Sequence, residues 1–285
     1  VLVKEIPITV KLTYDEIHIS FDETILYKSK LDSKKIHKEC PYKKKEQPIK
    51  RKEWYKTKYQ EHENSLKKGK LERYLAVDLN PNKIGYVILN ADETEVHSGS
   101  FEIELSKDSK FTNKRKYNYG IIIKELFKLV KHYKVSYFVI EEIDINEDNY
   151  GNNNSNRKIK SEWKLNLQKE LIVRRCNESK TILKEVPPCY SSFIGNLLYD
   201  KYDPIASAYE LCRRGINKFN KGFKLIPEYN SNNIITDRID VNVDLSSFNS
   251  FVELFKSIRN QSYRRNDKSF SKYLLSHNTH VSVYI

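Results

Sequence analysis

Three acidic residues occur at positions from which they could hold metal ions. Asp78 and Glu141 each end an apolar segment, and Asp203 precedes a proline at the start of a segment with small side chains. They lie far apart along the chain, so only folding can bring them together. Clustered carboxylates are costly to bury unless cations neutralise them, and the hard ions Mg²⁺ and Mn²⁺ prefer oxygen ligands.

Such a cluster is suited to cutting a nucleic-acid backbone. Two divalent ions about 3.5–4 Å apart activate the attacking water and stabilise the leaving oxygen of a phosphodiester, with no covalent protein nucleophile. The sequence therefore predicts that Asp78, Glu141 and Asp203 are catalytic and bind two Mg²⁺ or Mn²⁺ ions. Each alone also fits an ordinary role, as a turn residue, an exposed strand-end charge or a helix N-cap. Glu142 ranks second, because neighbouring strand positions face opposite sides of a sheet.

Hydrophobic periodicity predicts the elements that carry these carboxylates. Between residues 72 and 219 it indicates the order β-β-β-α-β-α-β-α, with Asp78 ending the first strand, Glu141 near the end of the fourth and Asp203 opening the last helix. Three successive strands followed by alternating helices and strands predict an α/β fold, with a mixed central sheet flanked by helices on both faces. The predicted helices cover residues 118–133, 159–179 and 203–219.

The remainder of the chain divides by composition. Residues 1–28 alternate apolar and polar side chains in places and predict a small antiparallel β unit. Residues 29–70 form a basic linker or helical segment, and residues 71–285 form the main domain with a basic C-terminal tail. Cations interleaved with aromatic rings are typical of a surface that follows a nucleic-acid backbone, or otherwise of a solvated helix. The candidates for nucleic-acid binding in the second segment are Lys43, Lys44, Lys45, Arg51 and Trp54.

The overall charge favours a polyanionic partner. Lys and Arg number 51 against 38 Asp and Glu, a net charge of +13, which suits phosphate neutralisation with counterion release. Arg213 and Arg214 in the last predicted helix are candidates for phosphate contact, with ordinary surface arginines as the alternative. None of the four cysteines forms a C-x-x-C pair, which argues against a zinc site or a disulfide framework.

Other function classes lack their signatures in this sequence. No apolar stretch is long enough for a transmembrane helix, and the first residues do not resemble a secretion signal, so we expect a cytoplasmic protein with no membrane partner. Neither G-x-x-x-x-G-K-[ST] nor G-x-G-x-x-G occurs, which argues against nucleotide hydrolysis and a dinucleotide cofactor.

Four segments resemble, in order, the nuclease domain of one family. LAVDLNPNKIGYVI (75–88) resembles the first RuvC motif of the TnpB-like, RNA-guided transposon nucleases, which are relatives of the type V CRISPR effectors. YFVIEEI (137–143) resembles their second motif, residues 161–192 are similar to the Trp-bearing helix, strand and Tyr-Thr-Ser segment that follow, and DPIASAYEL (203–211) resembles the third motif. The resemblance implies a ribonuclease H-like (RuvC) fold, a DNA substrate and a guide RNA, with Asp78, Glu141 and Asp203 as the metal ligands.

Two departures from that family's pattern bear on whether this chain uses a guide RNA and whether it binds zinc. Asn80 stands where the family usually has glycine, and FIGNLLYDKY (193–202), with no cysteine, fills the interval in which the family often carries a four-cysteine zinc ribbon. We therefore expect no zinc, and the use of a guide stays open. Residues 1–28 compare with the last strands of a wedge-like barrel, as in a fragment or a reduced relative. Two alternatives remain, a Holliday-junction-type resolvase on the same fold and a non-cleaving nucleic-acid-binding protein.

Overall fold

The computed structural model describes residues 8–12, 17–21, 33–45, 47–80, 83–103, 112–142, 165–201, 203–218, 220, 222–236 and 243–262. The strands are β1 (Ile8–Leu12), β2 (Ile17–Phe21), β3 (Leu71–Leu79), β4 (Lys83–Asn90), β5 (Glu95–Glu102), β6 (Val135–Glu141) and β7 (Ile182–Val186). The helices are α1 (Ser33–Glu39), α2 (Pro48–Lys67), α3 (Thr112–His132), α4 (Leu165–Ser179), α5 (Ser191–Leu198), α6 (Ile205–Asn217) and α7 (Phe251–Ser262), with 3₁₀ turns at Ser231–Asn233 and Leu245–Ser247.

The central sheet has five strands in the order β5-β4-β3-β6-β7. Strands β3, β4 and β5 pair antiparallel, whereas β6 is parallel to β3 and β7 is parallel to β6. The predicted mixed sheet is therefore confirmed. Strands β1 and β2 form a separate antiparallel pair, in the region where a small β unit was predicted.

Alternate residues of the sheet pack against helices on its two faces, because successive side chains of a strand point to opposite sides. Leu75 and Val77 of β3 belong to the core that includes Ile123 of α3 and Ile172 of α4. Ala76, between them, belongs to a second core with residues of α6 such as Ala208, Leu211 and Cys212. The predicted helices on both faces are confirmed, and Asp78 lies on the α6 face.

Helix α5 was not predicted from the sequence. Six of its eight residues are buried, so it lacks the one-sided apolar stripe that identifies a surface helix. It packs against a C-terminal cluster that includes Ile234, Phe251, Leu254 and Ile258.

Several predictions fall outside the described residues, among them the basic tail beyond residue 262 and Trp163. In the part of the chain that the structure covers, no helix is both long and apolar enough to cross a membrane.

Candidate active site

The pairing of β3 with β6 places two of the three predicted carboxylates side by side. The last paired residues of these parallel strands are Ala76 and Val139. Asp78 and Glu141 each lie two residues further on, so they occupy equivalent positions on neighbouring strands and face the same side of the sheet. Both are nearly buried, with 6% and 8% of their surface exposed.

A close approach at Gly85 brings the third carboxylate to the same edge. Gly85 of β4 pairs with Asp78, and a Cβ atom on Gly85 would lie 2.3 Å from the carbonyl carbon of Pro204. Only glycine allows the backbone just before α6 to rest directly on the strand. Asp203 immediately precedes this contact, and its charge acts on Asp78. The folded chain therefore gathers all three predicted carboxylates at one edge of the sheet.

Each carboxylate is held through one oxygen by neutral donors. The Asn80 amide donates to Asp78 Oδ2 at 2.8 Å, and the Ser191 hydroxyl donates to Glu141 Oε1 at 3.3 Å. Asp203 Oδ1 accepts a hydrogen bond from Asn196 Nδ2 at 2.8 Å and another from Ser207 Oγ at 3.2 Å. Neutral donors orient a carboxylate without neutralising its charge. Within the described residues, the second oxygen of each group receives no hydrogen bond and no ion pair.

The electrostatic environment disfavours the bare anions. Burial raises the pKa of Asp78 well above its usual range, and the charges of Glu141 and Asp203 raise it further, while the Asn80 hydrogen bond opposes this shift. Burial also raises the pKa of Glu141, against the opposing effects of Ser191, Arg214 and Lys169. A cation placed among the three groups would remove the repulsion that destabilises Asp78.

The donor set fits a hard divalent cation in its chemistry. It consists of carboxylate oxygens, which Mg²⁺ and Mn²⁺ prefer, and one oxygen of each group has no partner among the described residues. The geometry is not that of a closed cage. Among residues the structure describes, no three acidic, histidine or cysteine side chains already stand close enough to share a metal ion. Ion binding would have to draw the three carboxylates together.

The neighbouring candidates occupy different environments. Glu142 is exposed, and its backbone N–H donates to Val186 O at 2.7 Å. Arg214 is fully buried, with its guanidinium donating to Glu210 Oε1 at 2.8 Å and to Pro187 O at 2.6 Å. The expected phosphate contact of Arg214 is therefore corrected to a structural role, because a side chain with no exposed surface cannot meet a nucleic acid. Its positive charge affects the site by lowering the pKa of Glu141.

Arg213 is also engaged within the protein. It forms two hydrogen bonds of 2.8 Å with the carboxylate of Glu210 and one with Leu225 O, and 14% of its side-chain surface is exposed. A phosphate could reach only the edge of this guanidinium.

The basic candidates near the N-terminus lie on and between α1 and α2. Lys43, Lys44 and Lys45 are exposed in the connecting turn, and Trp54 is half-buried on α2. Arg51 instead links α2 to α1 and to the connecting turn, since its Nη2 atom lies 2.9 Å from His37 Nε2 and its Nη1 atom donates to Tyr42 O at 2.7 Å. Nothing in the described structure connects this surface to the three carboxylates.

Sequence reasoning missed the residues that orient the carboxylates. The sequence around Asn196 and Ser207 does not indicate that they contact a carboxylate, because each is an ordinary polar residue whose role depends on the fold. Asn80 was noted only as a departure from a family pattern, although an Asn two residues after an Asp is placed to bond its side chain. Lys169, whose charge lowers the pKa of Glu141, was not singled out.

Comparison with known proteins finds weak similarity to solved structures. A structure of T. thermophilus RuvC in complex with Holliday junction substrate is similar with a TM-score of 0.38 and 10% identity, covering 49% of this chain and 89% of that one. A further Thermus thermophilus RuvC structure matches with a TM-score of 0.38 and 8% identity, over 51% and 95% of the two chains. No protein-family profile and no curated protein matches the chain. Likenesses this weak say nothing about what the chain binds or cuts.

Proposed function

We propose that this protein is a metal-dependent endonuclease of ribonuclease H-like (RuvC) type that hydrolyses DNA phosphodiester bonds. The observation that carries the proposal is the convergence of Asp78, Glu141 and Asp203 at one sheet edge, each oriented through one oxygen by neutral donors. A protein that only bound nucleic acid would gain nothing from clustered anions that repel phosphates.

The three carboxylates would hold Mg²⁺ or Mn²⁺. Bound there, two such ions supply Lewis acidity that activates water and stabilises the leaving oxygen. Asp78 is the central ligand, because its side chain interacts with both of the others. Asn80, Ser191 and Asn196 keep the carboxylates oriented, and the burial of Asp78 and Glu141 excludes water from one side of the cluster.

The charge of the chain supports a nucleic-acid substrate. Its net charge is +13, and Lys43, Lys44 and Lys45 are exposed in the turn between α1 and α2. Cationic surfaces gain affinity for polyanions by releasing counterions. A guide RNA follows from the sequence resemblance to TnpB-like nucleases alone, so we treat it as a variable of the experiment.

The test is cleavage by the purified full chain of plasmid, linear duplex, single-stranded and four-way-junction DNA. Each is incubated with Mg²⁺, Mn²⁺ or a chelator, before and after removal of RNA that co-purifies. We expect cleavage that requires metal, and we expect Asp78→Asn, Glu141→Gln and Asp203→Asn each to slow it by at least about 100-fold, since even the outer partners of metal ligands are worth 10–100-fold.

Asp92→Asn is the matched control. Asp92 is an exposed carboxylate in the turn after β4, at the opposite edge of the sheet, and its loss should leave the rate unchanged. Activity confined to four-way junctions would favour the resolvase alternative. Intact DNA under every condition, or equal cleavage by the three variants and the native chain, would contradict the proposal.

A further inference from the structure

Helix α5 directs its two buried polar side chains at two different carboxylates of the cluster. The Ser191 hydroxyl donates to Glu141 Oε1 at 3.3 Å, and the Asn196 amide donates to Asp203 Oδ1 at 2.8 Å. Ser191 is 2% exposed and Asn196 4%. An eight-residue helix thus bridges the end of β6 and the start of α6.

The amide of Asn196 is fixed in direction by a second hydrogen bond. Its Nδ2 atom also donates to Ser192 O at 2.8 Å, one turn earlier in the same helix. Both amide hydrogens are therefore assigned, one to the helix backbone and one to Asp203. Ser207 of α6 donates to the same carboxylate oxygen at 3.2 Å, so the opposite oxygen of Asp203 is the one turned away from these donors.

The helix itself is held on two sides. A Cβ atom on Gly195 would lie 2.4 Å from Ala206 O, so α5 and α6 touch through their backbones. On its other side Phe193 meets Phe255 edge-to-face, with ring centroids 5.2 Å apart, and the backbone N–H of Ile235 donates to Leu197 O at 2.9 Å. Fixed between these partners, α5 can hold a side-chain amide in one place, which is what orienting a ligand requires.

We propose that α5 is a positioning helix for the metal site, in which Asn196 orients Asp203 and Ser191 orients Glu141 for cation binding. This rests on the proposed function, because it presumes that the three carboxylates bind the ions. Neither residue contacts a reacting atom; both act through the carboxylate they orient. The same helix fills the interval in which the nucleases that this sequence resembles often carry a zinc ribbon.

The experiment measures Mn²⁺ binding to the full chain by calorimetry without DNA, followed by the Mg²⁺ dependence of DNA cleavage. We expect Asn196→Ala to raise the Mn²⁺ dissociation constant about 10-fold, within the usual effect of removing a partner of a metal ligand. Cleavage at low Mg²⁺ should fall by a similar factor and recover as Mg²⁺ is increased. DNA affinity measured in Ca²⁺ should not change.

Asn217→Ala is the matched control, because Asn217 makes the same two kinds of hydrogen bond. Its Nδ2 atom donates to Arg213 O, one turn earlier in α6, at 3.0 Å and to Glu93 Oε1 at 2.6 Å. Asn217 is less buried than Asn196, so the stability of each variant is measured separately by urea denaturation. The change in Mn²⁺ binding should belong to Asn196→Ala alone.

The outcomes separate this proposal from the proposed function. Equal Mn²⁺ binding by Asn196→Ala and Asn217→Ala, in a chain that cuts DNA, would overturn the positioning role and leave the nuclease intact. If Asn196→Ala fails to fold, Ser191→Ala decides, and native Mn²⁺ affinity in that variant would overturn the proposal. A native chain that binds Mn²⁺ weakly and cuts nothing contradicts the proposed function instead.

Discussion

Asp78, which we propose as a metal ligand, lies where its anionic form is disfavoured in the absence of a cation. Its side chain is almost fully buried, it accepts a hydrogen bond from Asn80, and the charges of Glu141 and Asp203 act on it. Because its pKa is raised on folding, the stability that its protonated form contributes is present at low pH. That contribution is lost as pH rises from the ordinary range of an aspartate through the raised value.

Asp78→Asn should therefore stabilise the metal-free protein while abolishing cleavage. The variant keeps an oxygen to accept the Asn80 hydrogen bond and removes the repelled charge. We expect a gain of about 1 kcal/mol in the free energy of unfolding at neutral pH, measured by urea denaturation in chelator. Added Mg²⁺ should stabilise the native chain and not the variant. A metal-free variant less stable than the native chain would contradict this account of Asp78.

Arg214 shows how a charge near the site can be structural. Arg214 and Glu210 are both completely buried and lie 2.8 Å apart. Removing Arg214 leaves the buried Glu210 with Arg213 as its remaining partner, so the loss should be smaller than the cost of about 3–5 kcal/mol that is typical of a buried charge left unpaired.

We therefore expect Arg214→Met to lower the free energy of unfolding by about 2 kcal/mol, below this typical range, in urea denaturation. Arg174→Met is the control, since Arg174 pairs with Glu178 at the same i,i+4 spacing but is 54% exposed, and exposed pairs contribute about 1 kcal/mol or less. A folded Arg214→Met chain of native stability and weakened DNA binding would instead restore the phosphate contact.

At the scale of elements, close backbone approaches place the carboxylates as much as the strands do. Gly85 admits the backbone before α6, and Gly215 near the other end of that helix lies against the Val139 side chain of β6, where a Cβ atom would lie 2.5 Å from Val139 Cγ2. The helix is thus seated directly on the sheet, and its position sets that of Asp203.

Gly85→Ala should displace the start of α6. The added methyl group meets backbone atoms of Pro204 and Ile205, which cannot rotate away, so we expect a loss of about 1–3 kcal/mol together with weaker Mn²⁺ binding. Gly120→Ala is the matched control, because Gly120 lies in α3 with no atom within 4 Å of the added carbon. That variant should be stabilised by up to about 1 kcal/mol. Unchanged Mn²⁺ affinity in Gly85→Ala would contradict this role of the glycine.

Helix α2 contacts the sheet beside Lys184, a half-buried lysine. Lys184 of β7 lies over the rings of Tyr74 and Tyr137, at 4.9 Å and 4.3 Å from their centroids, and Tyr137 donates a hydrogen bond to Glu63 of α2. Burial lowers the pKa of Lys184 to about 8, partly opposed by Glu63. Between about pH 8 and the ordinary value of 10.5, unfolded Lys184 holds a proton that the folded residue has lost, so Lys184 contributes a rise in the free energy of unfolding with pH. Burial raises the pKa of the Cys212 thiol, which acts in the opposite direction.

Lys184→Met should reduce this rise, measured by urea denaturation between about pH 8 and pH 10. A residual slope is expected, because burial also lowers the pKa of Lys70 to about 8. Lys128→Met, at an exposed position of α3, should retain the native slope. Equal slopes of the free energy of unfolding against pH in the native chain and in Lys184→Met would show that Lys184 is not responsible for the rise.

The elements were more predictable than the contacts between them. The short apolar runs of RYLAVDL and VSYFVIEEI indicated the buried strands β3 and β6 and placed Asp78 and Glu141 near their ends. Helix α5 could not be predicted, because burial on nearly all sides removes its periodicity. The hydrogen bonds from Asn196 and Ser207 to Asp203 depend on how α5 and α6 pack, and the local sequence does not determine that packing.

At the scale of the whole molecule, the clustered carboxylates and the exposed lysines lie on different elements. The carboxylates gather at one edge of the sheet, whereas Lys43, Lys44 and Lys45 lie between α1 and α2. The net charge of +13 would draw a polyanion to the molecule at long range. The C-terminal cluster packs against α5, so residues late in the chain support the helix that contacts Glu141 and Asp203.

The most direct measurement is a crystal structure of the full chain soaked in Mn²⁺, with anomalous scattering used to locate the ions. The account predicts Mn²⁺ bound by Asp78, Glu141 and Asp203, with the three side chains closer together than in the metal-free chain and Asn196 still donating to Asp203. Crystals saturated with Mn²⁺ that show no ion among these carboxylates would contradict it.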